Sequence, residues 1–598
     1  MFKIIKYLKG VKGSALAIVL LLIIQAYCDL SLPGYTADII DIGIMQGGIE
    51  NGGVAAAGSS WEIQLNYLLT TGAKMLGMTL IMLVCAISVS LLASRAGAGI
   101  GRDLRKKIFR KVVSFSHAEI DHFSTASLIT RSTNDIQQIQ MVSVMLLRMV
   151  AYAPILAIGG IIKVAGTRTG MEWIIGVAVG AIFLLVFTLM RVALPKFKIV
   201  QSLIDRLNLV SREILTGIPV IRAFSREEHE AERFEKANKD LMKTQLFTNR
   251  VMTFMMPTMM LIMNCITVLI VWAGAQGVDL GRLQVGDMMA FITYTMQIVM
   301  SFLMLTMISI MLPRAGVAAD RIEEVLYTEV KIQDEAVVKD ELLSDPKGEV
   351  SFEGVSFRYP NADEDAVSGI SFKAEPGKVT AIIGSTGCGK STLLHLLTRF
   401  YDVTEGCIKI DGIDIRQLSQ KKLRSMLGFV PQKAVLFSGT IDSNICFGGD
   451  DIGEEEMKDA ARIAQAREFI EAKKEGYHSE IAQGGSNVSG GQKQRLSIAR
   501  AIAVNPKIYL FDDSFSALDY KTDMALRKAL NEKTKDATVI IVAQRISTIL
   551  HADQILVLED GRIIGKGTHK ELLESCEEYR EIAGSQLSEA ELKGGIAG

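Results

Sequence analysis

The chain of 598 residues lacks the features of composition that mark several classes of protein. Its 65 basic and 66 acidic residues leave a net charge of −1, so no nucleic-acid partner is expected. Its seven cysteines are scattered without the spacing of metal ligands or of a disulfide framework, and we expect inert or reduced thiols. Charged residues make up only 22% of the chain against 49% hydrophobic residues, and nearly all the long apolar runs precede residue 315.

Six of these apolar runs are long enough to cross a hydrocarbon core of about 30 Å. We predict membrane segments near 14–40, 67–92, 143–163, 172–192, 253–274 and 287–309. The first run has the basic start of a signal peptide but no small-residue cleavage site after it, so it is predicted to be a retained span.

The loops between the predicted spans differ in length and charge. Those after the second and fourth spans are long, helical and charged, and the first of them carries six basic residues between Arg102 and Lys111. Under the positive-inside rule, both termini and both long loops lie in the cytoplasm. We therefore expect a multi-pass protein of the cell (cytoplasmic) membrane, with the lipid bilayer as one of its partners.

A glycine-rich loop lies between the strand-like run Val379–Ile383 and an apolar helical run, which is the context of a phosphate-binding P-loop. Its backbone N–H groups can close on phosphates at a helix N-terminus. Lys390 would reach the β- and γ-phosphates and Ser391 would bind Mg²⁺. The predicted ATP-contacting residues here are Gly384, Ser385, Thr386, Gly387, Cys388, Gly389, Lys390, Ser391 and Thr392.

A second apolar strand, Ile508–Asp512, ends in an acid, which is how a P-loop ATPase holds its Mg²⁺. From about residue 346 short β-rich runs alternate with helical ones, the pattern of an α/β domain. The predicted fold is an α-helical six-span transmembrane domain followed by an α/β P-loop ATPase domain. We place the membrane domain at 1–328, a linker at 329–347, the nucleotide domain at 348–590 and a flexible tail at 591–598.

A second glycine motif begins another helix with Ser489, Gly490, Gly491 and Gln492. It would form another anion-binding helix terminus, although the chain already has a complete phosphate cradle. We infer that this terminus closes over ATP held by another subunit.

With these motifs, residues from about 346 to 575 resemble the nucleotide-binding domain of an ABC transporter, and the fused six spans resemble the exporter type. The resemblance implies that Tyr359 stacks on adenine and that Gln432 touches Mg²⁺ and faces the membrane half. It also implies that Asp519 contacts the opposite site. ATP and Mg²⁺ are the expected cofactors, and a second ABC half-transporter is the expected partner.

Two positions depart from that pattern and predict a weakly hydrolytic site. Asp513 stands where the family carries a catalytic Glu and is one methylene shorter, about 1.5 Å less reach. A misplacement near 1 Å can cost ~10²-fold in rate. Gln544 stands where a His is usual, and an amide carries no positive charge for the γ-phosphate.

These departures favour one half of a heterodimeric exporter that moves small amphipathic compounds, drugs or lipids, with peptides still open. This chain would have a degenerate ATP site of its own. Its second glycine motif, Ser489 to Gln492, corresponds to the intact signature motif of the family and would complete the partner's site. Two alternatives remain: a homodimeric exporter with a slow ATPase, and an ATP-gated channel or regulator.

Two loop stretches, 122–135 and 217–228, are similar to the cytoplasmic loops of exporters, each of which would present a short coupling helix.

Methionines are concentrated in one part of the chain, with 14 of the 27 between residues 242 and 311. Two sets fall within arcs of roughly 80° and 60° on an ideal helix. They are Met289, Met296, Met300, Met304, Met307 and Met311, and Met252, Met256, Met259 and Met263. Because Met is adaptable, we predict a cavity lining, with helix packing or lipid contact as the alternative.

Asp29 and Arg148 are the ionisable residues expected within the hydrocarbon core. Each is costly there unless it faces water or a partner. Their expected depths differ by roughly 15 Å at 1.5 Å per residue, so no direct pair is predicted. We expect both to face a cavity, with extension of Arg148 to the inner interface as its alternative.

Overall fold

The computed structural model describes residues 12–45, 60–167, 170–334, 339–360, 362–449 and 451–587. These residues form two compact units. The membrane unit contains the described residues up to Val112 together with Ala126–Tyr327, and the α/β unit contains Val113–Thr125 together with those from Thr328 onward. The predicted linker therefore belongs to the α/β unit where it is described, and the predicted tail lies outside the described residues.

The membrane unit consists of helices joined by short turns in its described residues. Its helices are α1 (Lys12–Asp38), α2 (Ser60–Val113), α4 (Thr125–Thr130), α5 (Ile136–Met145), α6 (Ala151–Thr167), α7 (Glu172–Ala223), α8 (Glu227–Thr253), α9 (Met255–Asp279) and α10 (Val285–Tyr327), while α3 (His117–Phe123) lies in the α/β unit. A short π-helical turn, 39–44, continues α1. Two others, 131–135 and 146–150, join α4, α5 and α6 into one continuous helical segment.

Six described segments are long and apolar enough to cross a membrane, as predicted. They are Lys12–Ile44, Leu65–Val113, Thr125–Thr167, Glu172–Ala223, Glu227–Asp279 and Val285–Leu305. Many large apolar side chains on these helices are exposed, for example Leu76 at 69% and Leu80 at 61%. Such surfaces are stable where the surrounding solvent is hydrocarbon rather than water.

The two loop stretches expected to carry coupling helices differ in structure. The short helix of the first loop, α3, lies mostly before the 122–135 stretch and overlaps it only at His122 and Phe123. In the second stretch α7 stays helical to Ala223, where the N–H of Phe224 still bonds the carbonyl oxygen of Val220 at 3.1 Å. A turn at 224–226 leads directly into α8, so this part of the described chain holds no separate short helix.

The α/β unit contains twelve strands in its described residues. They are β1 (Val350–Phe357), β2 (Val367–Ala374), β3 (Val379–Gly384), β4 (Glu405–Ile410), β5 (Ile413–Asp414), β6 (Leu427–Val430), β7 (Gly439–Thr440), β8 (Glu480–Ile481), β9 (Ile508–Asp512), β10 (Thr538–Val542), β11 (Gln554–Glu559) and β12 (Arg562–Gly567). One sheet has the order β2-β1-β4-β5, a second β12-β11-β3-β10-β9-β6, and β7 pairs with β8.

Ten α-helices lie between or after these strands in the described chain. They are α11 (Lys390–Leu397), α12 (Gln420–Ser425), α13 (Ile441–Ile445), α14 (Glu454–Ile463), α15 (Arg467–Glu471), α16 (Gly490–Ala503), α17 (Tyr520–Lys533), α18 (Ile546–Ile549), α19 (His569–Ser575) and α20 (Glu577–Gln586). Every residue of β9 and β10 is buried, as expected for central parallel strands, which read as continuous apolar runs. Two apolar clusters, one containing Phe511 and Leu496 and one containing Leu510 and Leu393, form the core.

Gly384, the last residue of β3, gives the first prediction. Its φ is +155°, and a Cβ there would stand 2.0 Å from the carbonyl oxygen of Leu558. We expect Gly384→Ala to destabilise the α/β unit by about 3 kcal/mol or more, because both strain and overlap must be relieved. The unfolding temperature of this unit in the full chain should fall by roughly 2–4 °C per kcal/mol.

Gly584 in α20 provides the matched control, since a Cβ there would meet nothing within 4 Å. Gly584→Ala should leave the unfolding temperature unchanged or raise it, because Ala favours a helix over Gly. An equal fall for both variants would contradict the importance of the Gly384 geometry.

Candidate functional site

The predicted ATP-site residues are brought to one edge of the six-stranded sheet by the parallel pairing of β3, β10, β9 and β6. Val542 is opposite both Ile382 and Asp512, and Phe511 is opposite Val430. Because the carboxyl ends of these strands are level, the loops that follow them start side by side. In parallel sheets that edge is where ligands bind.

The phosphate loop after β3 is shaped for an anion. Lys390 is 8% exposed, and its ammonium donates to the carbonyl oxygens of Gly384 at 2.9 Å and Ser385 at 2.6 Å. No carboxylate of the described residues lies within ion-pair distance of this ammonium. Ser385, Thr386 and Gly387 are exposed, and α11 begins at Lys390. A buried cation that is not ion-paired within the described chain, at a helix N-terminus, fits the phosphates of a nucleotide.

Ser391 and Asp512 form the second half of this centre. The Ser391 hydroxyl donates to a carboxylate oxygen of Asp512 at 2.8 Å, and Asp512 is 4% exposed. Burial is the main cause that raises the pKa of Asp512, with the nearby charge of Asp513 adding to it. A hydroxyl and a carboxylate are the oxygen ligands that Mg²⁺ prefers, so these two residues would hold the ion.

Asp513 is held by its backbone. Its φ is +46°, its N–H donates to the carbonyl oxygen of Val542 at 2.9 Å, and its own carbonyl oxygen accepts from the Ser516 hydroxyl at 2.9 Å. Burial raises the pKa of its half-buried carboxyl, and hydrogen bonds from the Ser516 and Gln432 side chains oppose that shift. The structure thus brings Gln432, which follows β6, to the carboxylate of Asp513.

Gln544 follows β10 and is exposed at the same edge. Gln586, the last residue of α20, forms two hydrogen bonds with the backbone of the loop that contains Gln544. The Gln586 amide donates to the carbonyl oxygen of Gln544 at 2.9 Å and accepts from the N–H of Ile546 at 2.8 Å. Sequence reasoning missed Gln586, since 42 residues separate it from Gln544 and no motif contains it.

Tyr359, the predicted adenine platform, is packed edge-on against Phe357 and Tyr401, with ring centroids 4.9 and 5.3 Å away. Its hydroxyl bonds the Thr392 hydroxyl at 3.0 Å, which ties it to the phosphate-loop helix. The Tyr401 hydroxyl donates to Asp121 of α3 at 2.9 Å, so α3 joins the same aromatic group. A cavity of about 390 Å³ lies beside these rings.

The signature residues are placed apart from the phosphate loop, with no contact between the two among the described residues. The Ser489 hydroxyl caps α16 by accepting from the N–H of Gln492, whose side chain accepts from the N–H of Ser489. A Cβ added at Gly490 would meet nothing within 4 Å, and one added at Gly491 would lie 3.3 Å from the carbonyl oxygen of Ala517. Asp519 caps α17, and hydrogen bonds from Thr522 lower its pKa.

The predicted methionine sets do not form uniform stripes. Met256 is 62% exposed, Met300 48% and Met289 46%, whereas Met259 is 3% exposed and packs in the core of the membrane unit with Ile266 and Phe291. The side chain of Met307 lies outside those that the structure describes. Helix packing therefore accounts for Met259, and the exposed methionines are available for other contacts.

Comparisons with known proteins agree with this architecture. The ABC transporter transmembrane region family matches residues 15–302, and the ABC transporter family matches residues 367–516. An uncharacterised ABC transporter ATP-binding protein of Mycobacterium tuberculosis is 40% identical over 587 residues, 96% of each chain. An ATP-dependent lipid A-core flippase of Saccharophagus degradans is 35% identical over 395 residues, 65% of each chain. The structure of a bacterial Atm1-family ABC exporter with ATP bound has a TM-score of 0.78 at 26% identity, covering 97% of this chain and 99% of that one.

A six-span helical unit fused to an α/β ATP-binding unit is the architecture of an ABC exporter, and the predicted fold class is confirmed. The chain belongs to the ABC transporter family. It is therefore a multi-pass membrane protein whose ATP-binding domain implies transport coupled to ATP hydrolysis.

The two hydrogen bonds that Gln586 forms with the backbone of Gln544 and Ile546 generate the second prediction. We expect Gln586→Ala to remove the acceptor of the Ile546 N–H, a hydrogen bond worth about 1 kcal/mol. Amide exchange at Ile546, measured by mass spectrometry on the full chain, should become about fivefold faster.

Gln586→Glu keeps an acceptor for Ile546 but removes the donor to Gln544, so exchange at Ile546 should stay slow. Ser585→Ala is the matched control, since its hydroxyl bonds only Ile582 within the same helix. An unchanged exchange rate at Ile546 in Gln586→Ala would show that the hydrogen bonds of Gln586 do not stabilise this loop.

Proposed function

We propose that this chain is one half of a heterodimeric ABC exporter, with a degenerate ATP site of its own and an intact signature motif for the partner's site. The observation that carries the proposal is the pair Asp513 and Gln544. Both lie on the sheet edge that holds Lys390 and Asp512, and both lack what hydrolysis needs there. ATP and Mg²⁺ are the proposed cofactors of this edge.

The defect at Asp513 is one of reach. Its backbone is bonded to β10 through the carbonyl oxygen of Val542, so the main chain has little freedom to move the carboxylate outward. The shorter side chain leaves the carboxylate about 1.5 Å short of the position of a Glu carboxylate. Water activation depends on hydrogen-bond geometry, so this shortfall lowers the rate.

The defect at Gln544 is one of charge. An amide donates a hydrogen bond but carries no positive charge to stabilise charge developing on the γ-phosphate. Gln586 holds the loop in place, so the position is intact while the charge is missing. ATP binding, which relies on Lys390, Ser391 and the loop backbone, is preserved.

The signature residues support the role of a partner. Ser489 to Gln492 form a well-capped helix terminus that makes no described contact with this chain's own phosphate loop. Bound Mg²⁺ would neutralise phosphate charge at Ser391 and Asp512. In the proposed dimer each signature closes over the ATP of the opposite subunit, and hydrolysis occurs at the partner's complete site.

The proposed location is the cell membrane, with the α/β unit and both termini in the cytoplasm, because the end of α2 carries six basic residues between Arg102 and Lys111 and such residues favour the cytoplasmic side. The proposed substrates are amphipathic or hydrophobic compounds, drugs or lipids. Exposed methionines such as Met256 and Met300 support this class, and one relative is named a lipid A-core flippase.

The third prediction is asymmetric ATPase activity. The purified chain alone should hydrolyse ATP very slowly and become active with its partner. Gly491→Asp would place a carboxylate at the anion-binding terminus of α16, where it repels phosphate. In the complex this change should lower steady-state turnover on the order of 10²-fold, because it damages the partner's site.

Gly584→Asp, an equal change of charge at an open helix position, should leave turnover unchanged. Brisk hydrolysis by the isolated chain, lost on Asp513→Asn, would instead support a homodimeric exporter and overturn the heterodimer.

The fourth prediction concerns repair of the degenerate site. Asp513→Glu restores reach and Gln544→His restores a group able to carry charge. Residues that act as a catalytic unit are non-additive, so the double variant should exceed the product of the two single gains by on the order of tenfold. Turnover is measured in the complex after the partner's catalytic Glu has been replaced by Gln.

That replacement ensures that residual hydrolysis reports this chain's site alone. Thr386→Ser, a change in the exposed part of the phosphate loop, is the control for general effects on nucleotide binding. Full recovery from Asp513→Glu alone would show that reach was the whole defect and that Gln544 replaces the His adequately.

A further inference from the structure

Asp29 lies on α1 within the membrane unit and is partly buried between two other helices. The Tyr152 hydroxyl, on α6, donates to one of its carboxylate oxygens at 2.8 Å. The Gln297 amide, on α10, lies 3.4 Å from the other oxygen and 3.4 Å from the backbone carbonyl oxygen of Asp29. Side chains from three spans therefore meet at this carboxylate.

All of the described donors to this carboxylate are neutral. No Lys, Arg or His of the described residues forms an ion pair with Asp29, and Arg148 is exposed rather than paired with it. A carboxylate within a membrane segment is costly unless it faces water, a partner or a ligand. Two neutral hydrogen bonds reduce that cost but leave the negative charge uncompensated.

The second observation is on Gln297. Its amide nitrogen is directed at Asp29, and its side-chain carbonyl oxygen is buried without a hydrogen-bond partner. Buried polar atoms are rarely left unpaired. The site thus offers a carboxylate and an unsatisfied carbonyl oxygen, which are both acceptors, and a positively charged group satisfies both.

Apolar contact surface lies beside these acceptors on α10. Met300 and Met304 follow Gln297 by three and seven residues, the spacing that places them on the same helix face. Met300 is 48% exposed, and the ring of Tyr152 is suited to a cation as well. Acceptors for a charge next to adaptable apolar side chains match a molecule with a cationic head and an apolar body.

We infer that Asp29 and Gln297 bind the positively charged group of the transported compound, and that the substrates are lipophilic cations. This inference rests on the proposed export of amphipathic compounds and narrows it to one charge class. The competing explanation is structural: the Asp29 bonds tie α1, α6 and α10 together and bind nothing.

The fifth prediction uses two probes of nearly equal shape and opposite charge, tetraphenylphosphonium and tetraphenylborate. Binding is measured on the transporter with its partner in lipid nanodiscs, with the signal of empty nanodiscs subtracted. We expect the phosphonium to bind at least about tenfold more tightly than the borate. Asp29→Asn should abolish that preference, and Asp29→Glu should retain most of it.

The variant Gln297→Lys distinguishes a ligand-binding role of Asp29 from a purely structural role. It places an ammonium beside Asp29, so the helices gain an internal ion pair while the carboxylate is no longer available to a ligand. A binding role requires loss of the phosphonium preference with an unchanged or higher unfolding temperature. Because Gln297→Lys retains the Asp29 carboxylate, it also tests the proposal if Asp29→Asn fails to fold.

Asp279→Asn, at the exposed end of α9, removes one acid of the membrane unit elsewhere and should leave both affinities and basal ATPase unchanged. Equal affinity of the wild type for the two probes, or a phosphonium preference that survives in both Asp29→Asn and Gln297→Lys, overturns the inference but not the export of amphipathic compounds. Binding of neither probe overturns the inference together with the proposed substrate class.

Discussion

The parallel register of β3, β10, β9 and β6 is the constraint on which the ATP site depends. Hydrogen bonds between the strands place Ile382, Val542 and Asp512 at the same level. The residues that follow them, which include the phosphate loop, Gln544 and Asp513, are therefore neighbours although up to 160 positions separate them in sequence. A shift of one residue in this register would turn the alternating side chains to opposite faces of the sheet, and the residues of the site would no longer lie together.

The same register makes the two substitutions in the site hard to compensate. The N–H of Asp513 and the N–H of Ala543 are both bonded to neighbouring strands, so the main chain cannot advance to restore the reach of a longer side chain. Gln586 fixes the following loop from the far end of the chain. In the proposed degenerate site, this rigid frame would keep the residues that bind ATP in place while the missing reach and charge limit hydrolysis.

Charge in the membrane unit obeys a different constraint, because hydrocarbon does not solvate ions. Asp29 is tolerated there through donors from α6 and α10, yet its negative charge has no described counter-ion. In the phosphate loop the situation is reversed, with Lys390 buried among carbonyl oxygens. Neither Asp29 nor Lys390 has an ion-pair partner among the described residues, and a ligand of opposite charge would supply one.

The sequence by itself determined the two-unit organisation, because the change from long apolar runs to alternating strands and helices is a matter of local periodicity. It also predicted the six spans and the phosphate-loop residues, since the P-loop is a contiguous motif read within one strand, loop and helix. The departures at Asp513 and Gln544 were visible for the same reason, as single positions within short motifs.

Only the tertiary structure decided which distant side chains meet. Gln586 joins the loop of Gln544, Asp121 joins Tyr401, and Tyr152 and Gln297 join Asp29, none of which has a sequence motif. The methionine stripes show the same limit, since helical periodicity groups Met256 with Met259 while packing exposes one and buries the other. Periodicity defines a face of a helix, and only the neighbouring helices decide what that face contacts.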